Sequence, residues 1–199
     1  GPSVVEGLEP GRKVVDLARM LTPSQRAEIE RAIAVLEGDT PYRFRVLAPP
    51  PGLGPENKRE WSSVVKSVKA YWAEDPKWDN ENTVVLLANP RVQSGRPGNP
   101  VSWSVASKLT ERLQFRIASD TFTKIGNKFG TAGYVNAEGE GGAVVASSLN
   151  AIACLRRGVC MQPLGEEEVA SLVAGGAPVL DEKEAKVLAT SNARWSSRK

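Results

Sequence analysis

The chain has 199 residues, of which 41% are hydrophobic and 25% charged, a balance typical of folded globular proteins. Its net charge of +3 is too weak over this length to argue for nucleic-acid binding. Histidine is absent and cysteine occurs twice, which excludes Ser-His-Asp and Cys-His nucleophiles, His-ligated zinc or haem, and four-cysteine metal sites.

Thr22-Pro23-Ser24-Gln25 predicts a helix start, with Thr22 as cap, Pro23 in the first turn and Gln25 completing a capping box. Ile29, Ala32, Ile33 and Leu36 follow at helical spacing, and Gly38 is expected to stop the run. Tyr42, Phe44 and Val46 alternate with polar residues, as in a strand. A proline-rich loop leads to a second helix, about Glu56 to Ala73, with Trp61, Val64, Val65, Val68 and Trp72 on its apolar stripe. Thr83 to Ala88 is apolar on both faces, which predicts a central strand covered by helices on two sides. The strand-helix-strand order predicts a right-handed parallel crossover.

Residues 89–100 lack periodicity and read as a long hairpin connection. Val101, Trp103 and Val105 then alternate with small polar residues, predicting a third strand antiparallel to the second. Lys108 to Phe129 holds one or two helices. The stretch Glu138-Gly139-Glu140-Gly141-Gly142 is expected to open a last core helix that Gly158 closes. The whole pattern implies a mixed sheet between helices. Residues 161–199 lose strong periodicity and end in Arg194, Arg198 and Lys199. They read as a partly mobile C-terminal extension whose removal spares the fold. No run approaches the roughly 18 apolar residues of a membrane span. The missing initiator Met and leader suggest a processed or truncated form, and Gly1-Pro2 reads as a cleavage scar.

The run Val14-Val15-Asp16-Leu17-Ala18-Arg19-Met20-Leu21-Thr22, with the helix and strand that follow, resembles the opening of a TPM domain. Thr83 to Asn89 is similar to that family's second strand. Gly139 to Ala143 together with Asn150 to Cys160 resembles the thylakoid lumenal fifteen-kilodalton type, which is related to photosystem II repair and assembly factors. The resemblance covers roughly residues 13–160, leaving 1–12 as an N-terminal tail. It implies a three-layer α/β/α sandwich with a small mixed sheet. It also implies an address in the chloroplast thylakoid lumen and a non-enzymatic auxiliary role on photosystem II lumenal subunits or their assembly and repair intermediates, peripheral to the membrane. The alternative is a divalent-metal acid phosphatase.

Asp16 is a candidate ligand for a hard cation such as calcium, or else a carboxylate that anchors backbone amides. Asp79 lies in an oxygen-rich stretch with Asp75, Asn80, Glu81 and Asn82, readable as a calcium loop or as a solvated connection. No other cofactor is expected. The glycine-rich 138–142 stretch lacks the Lys of a phosphate loop, and Glu140 would repel a phosphate. Trp78 and Trp195 fall outside the periodic elements and are candidate partner anchors.

Cys154 and Cys160 are expected to form a disulfide. A helix continuing through both would hold them about 9 Å apart, but a left-handed Gly158 just past the helix end folds the chain back. Two free buried thiols are the alternative.

Overall fold

The structure, a computed structural model, describes residues 4–91 and 98–196, with side chains to Ser191. Four strands form one sheet in the order β1 (Val14–Asp16), β2 (Arg43–Ala48), β3 (Thr83–Ala88) and β4 (Val101–Val105). β1, β2 and β3 are parallel, and β4 is antiparallel to β3. The helices are α1 (Pro23–Asp39), α2 (Lys58–Trp72), α3 (Ser107–Leu113), α4 (Thr121–Phe129), α5 (Ala132–Arg157), α6 (Glu166–Val173) and α7 (Glu182–Ser196).

Alternation along the strands splits the core in two. Val14, Phe44, Val46, Val84 and Leu86 point to a front face, where they pack with α1, α3, α4 and α5. Val15, Leu47 and Val85 point to the back, where Val64, Val68 and Trp72 of α2 cover them. The expected α/β/α layering and the interior place of β3 hold. β3 pairs Val84 with Phe44 on one side and with Val105 on the other. β4 buries Val101 on the front and exposes Ser102 and Ser104 on the back.

Thr22 caps α1 as the sequence predicts: its hydroxyl accepts from the Gln25 amide, and the Gln25 side chain accepts from the Thr22 amide. Gly38 does not stop α1, which runs to Asp39. The Thr40 amide then bonds to the Leu36 carbonyl, so a hydrogen bond and not the glycine sets the end. Val14–Asp16 forms β1, an element that the sequence pattern does not announce. α5 begins at Ala132, with a short, largely exposed helix ahead of the expected core helix. Thr131 caps it by accepting from the Tyr134 amide. Gly139 leaves helical geometry, at φ 80° and ψ 165°, so the glycine-rich stretch breaks α5 in two, and the second part, buried from Ala143 on, is the expected last core helix.

The ends of the chain are packed against these layers. Val4, Val5 and Leu8 lie against the back core, the Trp72 indole donates to the Arg12 carbonyl at 3.1 Å, and the Tyr71 hydroxyl donates to the Glu9 carbonyl. Beyond Cys160, Val169 and Leu172 of α6 are buried against Ala153 of α5. The Asn150 side chain exchanges two hydrogen bonds with the backbone of Leu164, at 2.9 and 3.1 Å. Arg156 donates to the carbonyls of Leu172 and Gly176 at 2.6 and 2.7 Å. Residue 160 is therefore no boundary of packing. Arg198, Lys199 and residues 92–97 of the hairpin connection lie outside the described residues, as do the Arg194 and Trp195 side chains.

Candidate functional site

The face around the C-terminal end of α5 combines a covalent staple with exposed apolar surface. Gly158 ends α5 with φ 83°, its amide bonded to the Cys154 carbonyl at 3.1 Å. The chain folds back, and Cys160 joins Cys154 in a disulfide with the two Cα atoms 5.3 Å apart. The returning segment bonds onto the α3–α4 connection. The Cys160 amide donates to the Arg116 carbonyl at 2.7 Å, and the Thr121 hydroxyl donates to the Cys160 carbonyl at 3.2 Å.

Beside this staple Phe115 is 55% exposed and Met161 42% exposed. A groove of about 560 Å³ runs from Phe115 along Lys183, Lys186, Val187 and Thr190 of α7. A second hollow of about 530 Å³ continues past Met161 and Leu164 to Cys160. α7 is held to this face by Arg157, whose guanidinium donates to Glu184 through both terminal nitrogens and to Glu168 through Nε at 2.9 Å. These bonds hold the Glu184 carboxyl below its ordinary range and raise Arg157 further above its own. Lys183 and Lys186 are exposed and form no ion pair among the described residues. The groove is therefore largely apolar with Lys183 and Lys186 as its charged residues, whereas Asp181 and Glu184 stand beside Lys183 and Arg157 at the second hollow. Phe115 carries the one sequence signal that could have found it, because it falls off the Leu109-Leu113-Ile117 stripe.

The other candidate residues lie elsewhere. Asp16 ends β1, and its carboxylate accepts from the amides of Met20 and Leu21 at 3.0 and 2.8 Å. Those bonds close a turn in which Arg19 takes φ 54°. Asp79 sits before β3, where it caps a short 3₁₀ turn by accepting from the Glu81 amide and the Asn82 side chain. The parallel register puts Asp16 at the carboxyl ends of the strands and Asp79 at the amino ends, so one ion cannot take both. Among the described residues no three Asp, Glu or Cys side chains gather as a metal site. Trp78 is half-buried and stacks on Trp72, with ring centroids 5.8 Å apart. A further cleft of about 570 Å³ at the carboxyl end of the sheet lies between Arg19, Gln25, Pro90, Glu138 and Glu140. Glu140 accepts there from the Arg91 amide at 2.7 Å. Two carboxylates on its wall disfavour a phosphate.

No family model matches the chain. It is 26% identical over 163 residues, 80% of its length, to the chloroplastic thylakoid lumenal 15.0 kDa protein 2 of Arabidopsis thaliana, and it spans 59% of that relative's length. The lumenal address expected from the sequence agrees with the address of this relative. The fold is also similar to the solution NMR structure of the N-terminal domain of a protein from P. gingivalis. The TM-score is 0.52 at 14% identity, covering 76% of this chain and 87% of that one.

Proposed function

We propose that this chain is a non-enzymatic auxiliary factor of the chloroplast thylakoid lumen, with a TPM-type sandwich, that binds photosystem II lumenal subunits or their assembly and repair intermediates. The observation that carries the reading is the groove beside the disulfide, lined by Phe115, Met161 and Val187 together with Lys183 and Lys186. Such a groove suits a protein segment that presents apolar anchors together with acidic side chains. The lumenal address leans on the similarity to the Arabidopsis lumenal protein. Among the described residues no helix is long and apolar enough to cross a membrane. The phosphatase alternative finds no supporting arrangement among the described carboxylates.

Incubation of the tagged chain with solubilised thylakoids, followed by size separation of the recovered complexes, tests the reading. Photosystem II subunits should co-purify, and the double variant Lys183→Glu/Lys186→Glu should recover several-fold less. A Phe115→Ser variant should also weaken recovery several-fold. Recovery of photosystem II subunits no higher than with the tag alone overturns the proposal.

A further inference from the structure

A cavity of about 350 Å³ opens at the amino ends of the strands, on the back face beneath the N-terminal segment. Its lining includes Arg12, Lys13, Arg45, Tyr71 and Trp72 together with Glu74 and Asp75. Arg45 is the unusual member. It lies on the back face of β2 and is only 2% exposed. One of its terminal nitrogens donates to Glu37 at 2.5 Å and to the Phe44 carbonyl at 2.8 Å. Its guanidinium carbon lies 5.5 Å from the centre of the Trp78 ring. Its Nε is buried with no hydrogen-bond partner among the described residues, as are the Nε atoms of Arg116 and Arg156 elsewhere in the fold. Buried donors on a charged group are normally satisfied, because leaving one unmade is costly.

Glu37 is the shared partner of Lys13 at 3.0 Å, Arg45 at 2.5 Å and Arg43 at 3.9 Å. One carboxylate thus faces three cations. Arg12 has Glu9 and Glu30 as partners, at 2.7 and 3.5 Å. Asp75 already accepts from the Lys77 amide at 2.9 Å. The cavity lining itself carries three cations, Arg12, Lys13 and Arg45, and two acids, Glu74 and Asp75. The rest of the wall is flat and apolar. The Trp72 indole N–H is already given to the Arg12 carbonyl and the Tyr71 hydroxyl to the Glu9 carbonyl, which leaves ring surface to line the space.

We infer that this cavity is a binding site for a small organic carboxylate with a flat apolar body, its carboxylate beside Lys13 and Arg45 and its body against Tyr71 and Trp72. The volume is at the lower end of ligand pockets, which suits a small molecule and not a cofactor of nucleotide size. The site is separate from the groove beside the disulfide and does not depend on the role proposed for that groove.

Titration of the full chain with phenylacetate, phenylacetamide and inorganic phosphate, followed by the indole N–H resonances of Trp72 and Trp78, tests the inference. Phenylacetate should shift both resonances saturably, and phenylacetamide should bind at least about tenfold more weakly, because its amide lacks the charge. Lys13→Met should weaken phenylacetate at least about fivefold while leaving Tm near that of the parent, since Lys13 is partly exposed. Arg45→Lys adds a second reading in which the buried charge is kept and the planar fork removed. Equal binding of phenylacetate and phenylacetamide overturns the inference, as does equal binding of inorganic phosphate, which has no apolar body. Absence of any saturable shift overturns it as well.

Discussion

Replacing Asp16 by alanine tests how the start of the sheet is held. The half-buried carboxylate accepts two backbone amides, at 3.0 and 2.8 Å, and so closes the turn that carries Arg19 at φ 54°. A hydrogen bond to a charged group contributes about 1.5–3 kcal/mol, and the partial exposure of Asp16 places both bonds at the low end, about 3 kcal/mol together. For a chain of this size that loss lowers Tm by about 6–12 °C. Asp16→Asn keeps one acceptor oxygen and should lose roughly half as much. Thermal unfolding followed by circular dichroism, with a chelator and then with millimolar calcium, measures both effects. Calcium should leave the melting curves unchanged, because the carboxylate oxygens are already occupied by amides. If calcium raises the parent Tm by several degrees and Asp16→Asn abolishes that rise, Asp16 is a cation ligand and the anchoring argument fails. An alanine variant that melts with the parent also refutes it.

Leu172→Ala in α6 should cost about 2–4 kcal/mol in urea unfolding, because the side chain is buried against α5. A chain ended at residue 160 should be weaker still, and a truncated chain as stable as the full one would contradict the described packing. Replacing Cys154 and Cys160 together by serine should lose on the order of 2 kcal/mol in the chain-entropy account of a short closed loop. Alkylation of the native, unreduced protein should add no mass, whereas two modified thiols would show the bond is absent. The Glu184 pKa is lowered in the folded state by Arg157, so the stabilisation is complete above the ordinary carboxylate pKa and is lost as pH falls through the lower folded value. Limited proteolysis should therefore find α7 equally protected at neutral and mildly acid pH and less so only below about pH 4.5. Glu184→Gln should remove that acid dependence.

Elements that carry their own local signal were legible in the sequence. The capping box at Thr22, the two-sided apolar run of β3 and the alternation of β4 depend on residues within one element. β1 was not legible because it is three residues long, and Val14 and Val15 go to opposite faces, which leaves no alternation to detect. The break in α5 at Gly139 is legible in its glycine-rich stretch, whereas the short helix before it, from Ala132, has no buried apolar residue to announce it. α6 is fixed by Asn150 and Arg156, polar residues that a sequence pattern assigns to solvent. Arg45 is hidden for the same reason. Alternation marks it as outward, but the outward face of β2 is itself covered, by α2 and Trp78. Of the candidate sites, the disulfide could be foreseen from Gly158 and the cysteine spacing. The groove could not, because α7 reaches it from residues distant in sequence.

The placement of α1 and α2 fixes the chirality of the fold. β1 to β2 and β2 to β3 step the same way across the sheet. Their connecting helices nevertheless lie on opposite faces, α1 in front and α2 behind. Two crossovers that advance in one direction on opposite sides have opposite hands, so one of them is left-handed, against a right-handed preference of about 98%. That preference comes from strand twist, and three residues accumulate little of it. β1 is thus the strand least able to dictate how the chain wraps. We expect it to join a sheet that β2, β3 and β4 have already built, with the fastest amide exchange of the four strands.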